Sequence, residues 1–207
     1  MSHVTRHASQ NMEDIYKTIA SASKGGITEQ RSRFISFAIP VETPEEIKEK
    51  IDSFRKKYYD ATHICWACML GAERLQFRVN DDGEPSSTAG KPILGVINSH
   101  GLTDVLIVVV RYFGGVKLGT SGLIAAYRAA ALDAIANAEI VEKTVNETFT
   151  ISFPYHSLND IIKIVKEFNP KILSQNIDID CEMTLQIRKS EAERLKNRFS
   201  QVVTRDK

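Results

Sequence analysis

The chain has 207 residues, 43% hydrophobic and 26% charged, with 27 basic against 26 acidic side chains and a net charge of +1. So much apolar material excludes a disordered polyelectrolyte, and near-neutrality excludes capture of nucleic acid by an overall field. The longest clean apolar run, Val105 to Val110, is far too short to cross a bilayer.

The N-terminus, MSHVTRHASQNMEDIYK, has no apolar core of a signal peptide. Three cysteines are too few, and odd in number, for a disulfide framework. A cytoplasmic chain with no membrane partner is expected.

The first dozen residues are polar and read as loose. The first strand is RFISFAIPV (Arg33 to Val41). A helix follows, with Thr43 as N-cap, Pro44 at the first helical position and Glu46 completing a capping box. Ile47, Ile51, Phe54 and Tyr58 recur at helical spacing. HICWACML (His63 to Leu70) and RLQFRV (Arg74 to Val79) read as strands around a turn at Gly71. NDDGEPSSTAG is a loop by composition. A short helix is expected from Pro92 to Gly101. DVLIVVV has the continuous β-branched pattern of a strand buried on both faces. A glycine loop and a long helix, Thr120 to Ala138, come next.

Behind NAEIVEK the pattern changes. TFTISF is a strand, and Ser157 with Asp160 makes a capping box for a helix carrying Leu158, Ile161, Ile162, Val165 and Phe168 on one side. KILSQNIDI and EMTLQIR read as strands. Ser190 and Glu193 make another capping box, ahead of a helix with Ala192, Leu195 and Phe199. VVT reads as a closing strand. The order βαββαβ is the ferredoxin-like arrangement. An α+β chain of two domains is expected, residues 1–138 and 139–207.

Four segments invite chemistry. His63, Cys65 and Cys68 resemble zinc ligands, but strand alternation puts Cys65 and Cys68 on opposite faces, and packing is the better reading. STAGKP resembles a phosphate loop, yet Pro92 stands where the magnesium-binding hydroxyl should follow Lys91, so a helix start fits better. DDGEP offers Asp81, Asp82 and Glu84 for acid/base or Mg²⁺ chemistry; as a bland alternative, Asp-Gly simply makes a turn. RYFGGVKLGTSG is the strongest signal. Arg111 emerges from a buried strand, Gly114 and Gly115 allow close approach or positive φ, and Gly119 lies where a helix starts. Lys117 adds charge to that positive dipole end, which makes an anion site. The alternative is a tight strand-to-helix turn. No nucleophile motif accompanies the five histidines, and no cofactor or metal is expected.

DDGEPSSTAGKPIL, DVLIVVVRYFGGVKLGTSGL and ATHICWAC together resemble the IMPACT/YigZ family, over most of residues 30–135. Here Ser87 and Ser121 stand where that family has glycine, and Ala125 and Arg128 replace an arginine and a glycine. The resemblance implies an N-terminal domain similar to the ribosomal-protein/RNase PH-type βαβ-rich fold. It also implies a small ferredoxin-like domain similar to domain V of elongation factor G. Eukaryotic members carry an extra N-terminal domain and act in translational control through a stress-responsive kinase pathway. This chain is expected to be a bacterial-type, two-domain member without that module. The expected function is a non-catalytic regulator of translation that binds RNA, the ribosome or a ribosome-associated protein. The expected contacts are Arg111, Gly114, Gly115, Lys117, Gly119, Lys91 and Arg128. The alternative is an enzyme acting on a phosphate-bearing small molecule, with Asp81, Asp82 or Glu84 as metal ligands.

Overall fold

The structure, a computed structural model, describes Asp14 to Val203. The first dozen residues and Thr204 of the expected closing strand lie outside the described residues. Two compact units divide the chain: Tyr16–Lys143, and Asp14 and Ile15 together with the residues from Thr144 onward.

The larger unit is built on a five-stranded antiparallel sheet. Its strands are β2 (Ser23–Glu29), β3 (Ser32–Pro40), β4 (His63–Leu70), β5 (Gln76–Asn80) and β6 (Val105–Tyr112), in the order β2-β3-β6-β4-β5. β6 is central, and Val105 to Val110 are fully buried along it. Alternate residues serve different cores. Val105, Ile107 and Val109 pack with helices α2 (Gly90–Ser99) and α3 (Gly119–Ala136). Leu106, Val108 and Val110 pack with Ile47 and Ile51 of α1 (Pro44–Lys57). Cys65 and Cys68 fall in these two different cores, as alternation along a strand requires.

Thr43 caps α1 by accepting from the Glu46 N–H (3.2 Å), and Glu46 reaches back to the Glu42 N–H (2.7 Å). Two differences from the sequence reading concern ends. β5 begins at Gln76 rather than Arg74, because Arg74 has φ 55° and belongs to the turn after Gly71. α2 begins at Gly90, two residues before Pro92, because a distant side chain caps it.

Strand β2 and a short strand β1 (Ile15–Ile19) were not among the expected elements. β1 pairs with β7 (Ile140–Thr144). The SKGGITE sequence of β2 is poor in strand formers, and tertiary contacts hold it. Asp133 of α3 accepts from the Gly26 N–H (2.8 Å), and Ser23 Oγ donates to the Ala134 carbonyl (2.7 Å).

In the smaller unit, β8 (Asn146–Pro154), β9 (Lys171–Asn176) and β10 (Asp180–Arg188) form an antiparallel sheet in the order β8-β10-β9. Helices α4 (Leu158–Phe168) and α5 (Lys189–Val203) share one core with it, around Phe153, Ile161, Met183, Leu185 and Leu195. The order is βαββα among the described residues. The expected closing strand is corrected: Gln201 to Val203 continue α5, because Leu195, Phe199 and Val202 extend one helical stripe onto the core. Both expected capping boxes are replaced. α4 is entered through a 3-10 turn, Tyr155–Ser157, and Ser157 makes no side-chain cap. Ser190 lies inside α5, and its N–H donates to Asp14 Oδ2 (2.8 Å), a cap from 176 residues away.

Candidate functional site

Strand register builds the site. His63 of β4 lies opposite Arg111 of β6, and Arg111 opposite Phe34 of β3. Period two then places His63 and Arg111 on the α3 side with Cys65, Ala67 and Val109. There a cavity of about 420 Å³ is lined by Thr62, His63, Glu84, Arg111, Phe113 and Lys117, with Leu118, Gly119 and Thr120 at the start of α3.

Glu84 and Arg111 form its buried floor. Their side chains are 3% and 5% exposed, and Arg111 Nη1 donates to Glu84 Oε1 at 2.6 Å. Tyr127 Oη donates to the same oxygen (2.7 Å). The Arg111 guanidinium lies over the rings of Phe34 (5.4 Å) and Phe113 (5.6 Å). Cys65 Sγ sits 3.3 Å from Tyr127 Oη and 3.0 Å from the Asp81 carbonyl. Burial pushes the Cys65 thiol and the Tyr127 phenol far above their ordinary ranges, so both stay protonated. Cys65 is therefore no nucleophile. His63 Nδ1 donates to the Asp82 carbonyl (2.7 Å), since a carbonyl can only accept, and Nε2 faces Glu84 Oε1 at 3.9 Å.

The acidic residues separate by role. Asp81 accepts from the backbone N–H groups of Ser87 (2.8 Å), Ala89 (3.0 Å) and Gly90 (2.8 Å), so it caps α2. Ala89, the residue at the helix boundary, has no side chain able to do so. Asp82 Oδ2 accepts from the Ile64 N–H (2.6 Å), and its Oδ1 lies 3.7 Å from Arg55. Asp82 and Gly83 form the bend, with φ of 43° and 86°. Only Glu84 of the three enters the cavity. Among the described residues, no three His, Cys, Asp or Glu side chains converge to hold a metal ion.

The glycine loop also divides. Arg111 carries a charge that Glu84 balances. Lys117 is exposed and lines the cavity. Gly114 packs against the Arg31 backbone, and its N–H donates to Ser32 Oγ (3.2 Å). Gly115 makes the turn beyond it, and Gly119, with φ 70°, turns the chain into α3. No side chain caps that helix, whose boundary residue is Leu118. The first-turn N–H groups thus meet the cavity as a positive dipole end. Lys91 and Arg128 are exposed on α2 and α3 and do not line the cavity; Lys91 instead acts electrostatically on Asp81.

Sequence reasoning missed His63, Thr62 and Tyr127 as parts of this arrangement. One signal was present for Tyr127: a tyrosine on the buried face of an alanine-rich helix needs a partner for its hydroxyl.

Asp81 yields a prediction with a definite sign. Burial alone would raise its carboxyl, but the three N–H donors and Lys91 outweigh it and hold it below 3.8, the ordinary value. A depressed folded value stabilises above the unfolded value, and the contribution is lost as pH falls through the folded one. Asp81→Ala is expected to cost about 2–3 kcal/mol at neutral pH. The gap to wild type should shrink below about pH 4. Urea midpoints at stepped pH check this; a gap that is constant down to acid pH contradicts it.

The Impact N-terminal domain model matches residues 30–135. IMPACT family member YvyE of Bacillus subtilis (strain 168) is 38% identical over 152 residues, 73% of this chain and 70% of that protein. IMPACT family member YigZ of Escherichia coli (strain K12) is 35% identical over 149 residues, 71% of this chain and 73% of that one. A crystal structure described only as that of a hypothetical protein has a TM-score of 0.70 at 28% identity, covering 91% of this chain and 92% of that chain. Among the described residues no helix is long and apolar enough to cross a membrane. With residues 30–135 matched by the family model and relatives 35–38% identical aligned over 71–73% of the chain, this protein belongs to the IMPACT family.

Proposed function

We propose that this chain is a non-catalytic regulator of translation that binds RNA through the cavity at the α3 N-terminus. The observation that carries the reading is local: an uncapped helix start, with the exposed Lys117 beside it, lines a cavity of ligand size. The buried ion pair beneath is internally balanced, so Lys117 and the helix dipole set the sign of the field there. Translation comes from the family, whose resemblance implies translational control in eukaryotic members and elongation-factor-like domains. Near-neutral total charge makes the binding modest and salt-sensitive.

Sedimentation of lysate on sucrose gradients tests this. Wild-type protein is expected to migrate with ribosomal particles at low salt and to leave them at high salt. Lys117→Glu should stay at the top of the gradient at both. Wild type that never enters the particle fractions, and binds no RNA in titration, contradicts the proposal.

A second reading, an enzyme acting on a phosphate-bearing small molecule, is favoured by His63 Nε2 facing Glu84 in the same cavity. Asp81 and Asp82, which that reading would use as metal ligands, hold backbone N–H groups instead.

A further inference from the structure

We propose that two copies of this chain join through the outer edges of their β8 strands, paired antiparallel about a twofold axis at Thr150. The interface lies in the smaller unit and does not depend on the RNA reading above.

The fold leaves this edge bare. The order of the smaller unit is βαββα, and Gln201 to Val203 continue α5 instead of starting a further strand. β8 pairs with β10 on one side, and among the described residues no strand pairs with its other side. Two bonds at its ends fix which way its backbone groups point. The Lys189 N–H donates to the Val145 carbonyl (3.0 Å), and the Tyr155 N–H donates to the Ile179 carbonyl (3.3 Å). Both extend the register that runs from Asn146↔Arg188 to Pro154↔Asp180, so the odd-numbered residues face β10. Thr148, Thr150 and Ser152 therefore turn their N–H and C=O groups outward, and all three are exposed.

Edge strands usually carry a device against further pairing, such as a lysine, a proline or a bulge. β9, the other edge of this sheet, begins with Lys171, and its register against β10 shifts between Thr184 and Leu185. β8 has no such device from Thr148 to Phe153: the residues are uncharged and the register is unbroken. The Glu147 carboxylate just before them is held by Lys196 of the same chain.

The strand is also complementary to itself. With Thr150 at the centre, all nine residues from Asn146 to Pro154 overlap. Thr150 then exchanges both backbone hydrogen bonds with its own copy, and Thr148 does the same with Ser152. Phe149 comes opposite Ile151, an aromatic and β-branched pair of the kind that stabilises sheets. Both are half-buried and line a cavity of about 370 Å³ together with Phe199 and Ser200 of α5. No like charges meet between Thr148 and Phe153. Pro154 has no N–H and ends the ladder.

The area sets the strength. Nine residues at about 3.4 Å each make an edge about 30 Å long. The sheet and α5, at about 10 Å each, make it about 20 Å deep. Each copy would bury about 600 Å², and the total of about 1,200 Å² is the lower limit of specific interfaces. A second copy covers both the strand and the α5 flank, whereas a lone extended peptide covers the strand. The pairing is isologous, so it closes at two copies and forms no fibre.

Sedimentation of the full chain across a concentration series tests this. Wild type is expected to be monomeric near about 1 µM and dimeric at several hundred, as a minimal interface requires. Thr150→Lys and Thr150→Glu each set like charges face to face and should weaken the dimer at least about tenfold, with thermal unfolding unchanged. Mixing the two variants in equal amounts should restore it, because opposite charges then meet at the axis. Thr150→Cys adds a check that needs no charge. Paired positions of this type lie about 5.5 Å apart between Cα atoms, within disulfide range, so oxidation should give a covalent dimer linked at position 150. Thr148→Cys, which faces Ser152, should not cross-link in this way. Wild type that stays monomeric throughout overturns the proposal, whatever else covers the edge. So do charged variants that dimerise like wild type, a mixture no better than either variant alone, or Thr150→Cys that does not cross-link.

Discussion

Replacing Glu84 with alanine is expected to destabilise the larger unit by about 3–5 kcal/mol, the cost of breaking a buried ion pair from one side. The magnitude follows from what is left behind. Arg111 is 4% exposed and always charged, and its Nε already lacks a partner among the described residues. Without Glu84 its charge has no counter-ion on the cavity floor, and the Tyr127 hydroxyl loses the oxygen it donates to. Urea unfolding of wild type and variant measures the loss. Removing the arginine as well, in Glu84→Ala with Arg111→Met, should recover most of it, because the uncompensated charge goes too. A single variant within about 0.5 kcal/mol of wild type, the usual scatter of surface changes, contradicts this account of the floor.

Gly114→Ala is expected to cost about 2–3 kcal/mol, as overpacking of a well-filled site does. An added Cβ would collide with the Arg31 carbonyl group and the Ser32 nitrogen. These are backbone atoms of the tight turn between β2 and β3, where Arg31 has φ 69° and Ser32 pairs with Glu29, and they cannot swing aside as a side chain could. The turn would have to open. That would shift Ser32 Oγ, which accepts from the Gly114 N–H and lies 3.5 Å from Arg111 Nη2. Stability and ligand binding should therefore fall together. Thermal unfolding alongside a ligand titration checks both, and an unchanged midpoint would show that the approach to Arg31 is not tight.

Residue patterns with short range were legible in the sequence. Thr43, Pro44 and Glu46 announce α1, and the β-branched run of β6 announces a strand with two buried faces. The pairing that makes the site was not. His63 meets Arg111 only because β4 and β6 pair in one register, 48 positions apart in sequence. Arg111 read as a contact for an anion because the sequence shows its charge and not its burial. Asp81 read as a candidate acid because a cap supplied from eight and nine residues upstream has no local signature. β2 was missed because its glycines argue against a strand, while Asp133 and Ala134 of α3 hold it in place. The end of α5 was misassigned because Val202 suits a strand by propensity and a helix by spacing, and spacing onto the core prevails.

The central claim is that the α3 start and Lys117 bind nucleic-acid phosphate. Its most direct test is a fluorescence titration of a single-stranded RNA at several salt concentrations. With Arg111 balanced by Glu84, few phosphates are neutralised, and the log–log slope for wild type should be about −1 to −2. Lys117→Ala should bind more weakly and make the slope shallower by about 0.7, the share of one phosphate on a single strand, with unfolding unchanged. Affinity that does not vary with salt, or a Lys117→Ala slope equal to that of wild type, would contradict the claim.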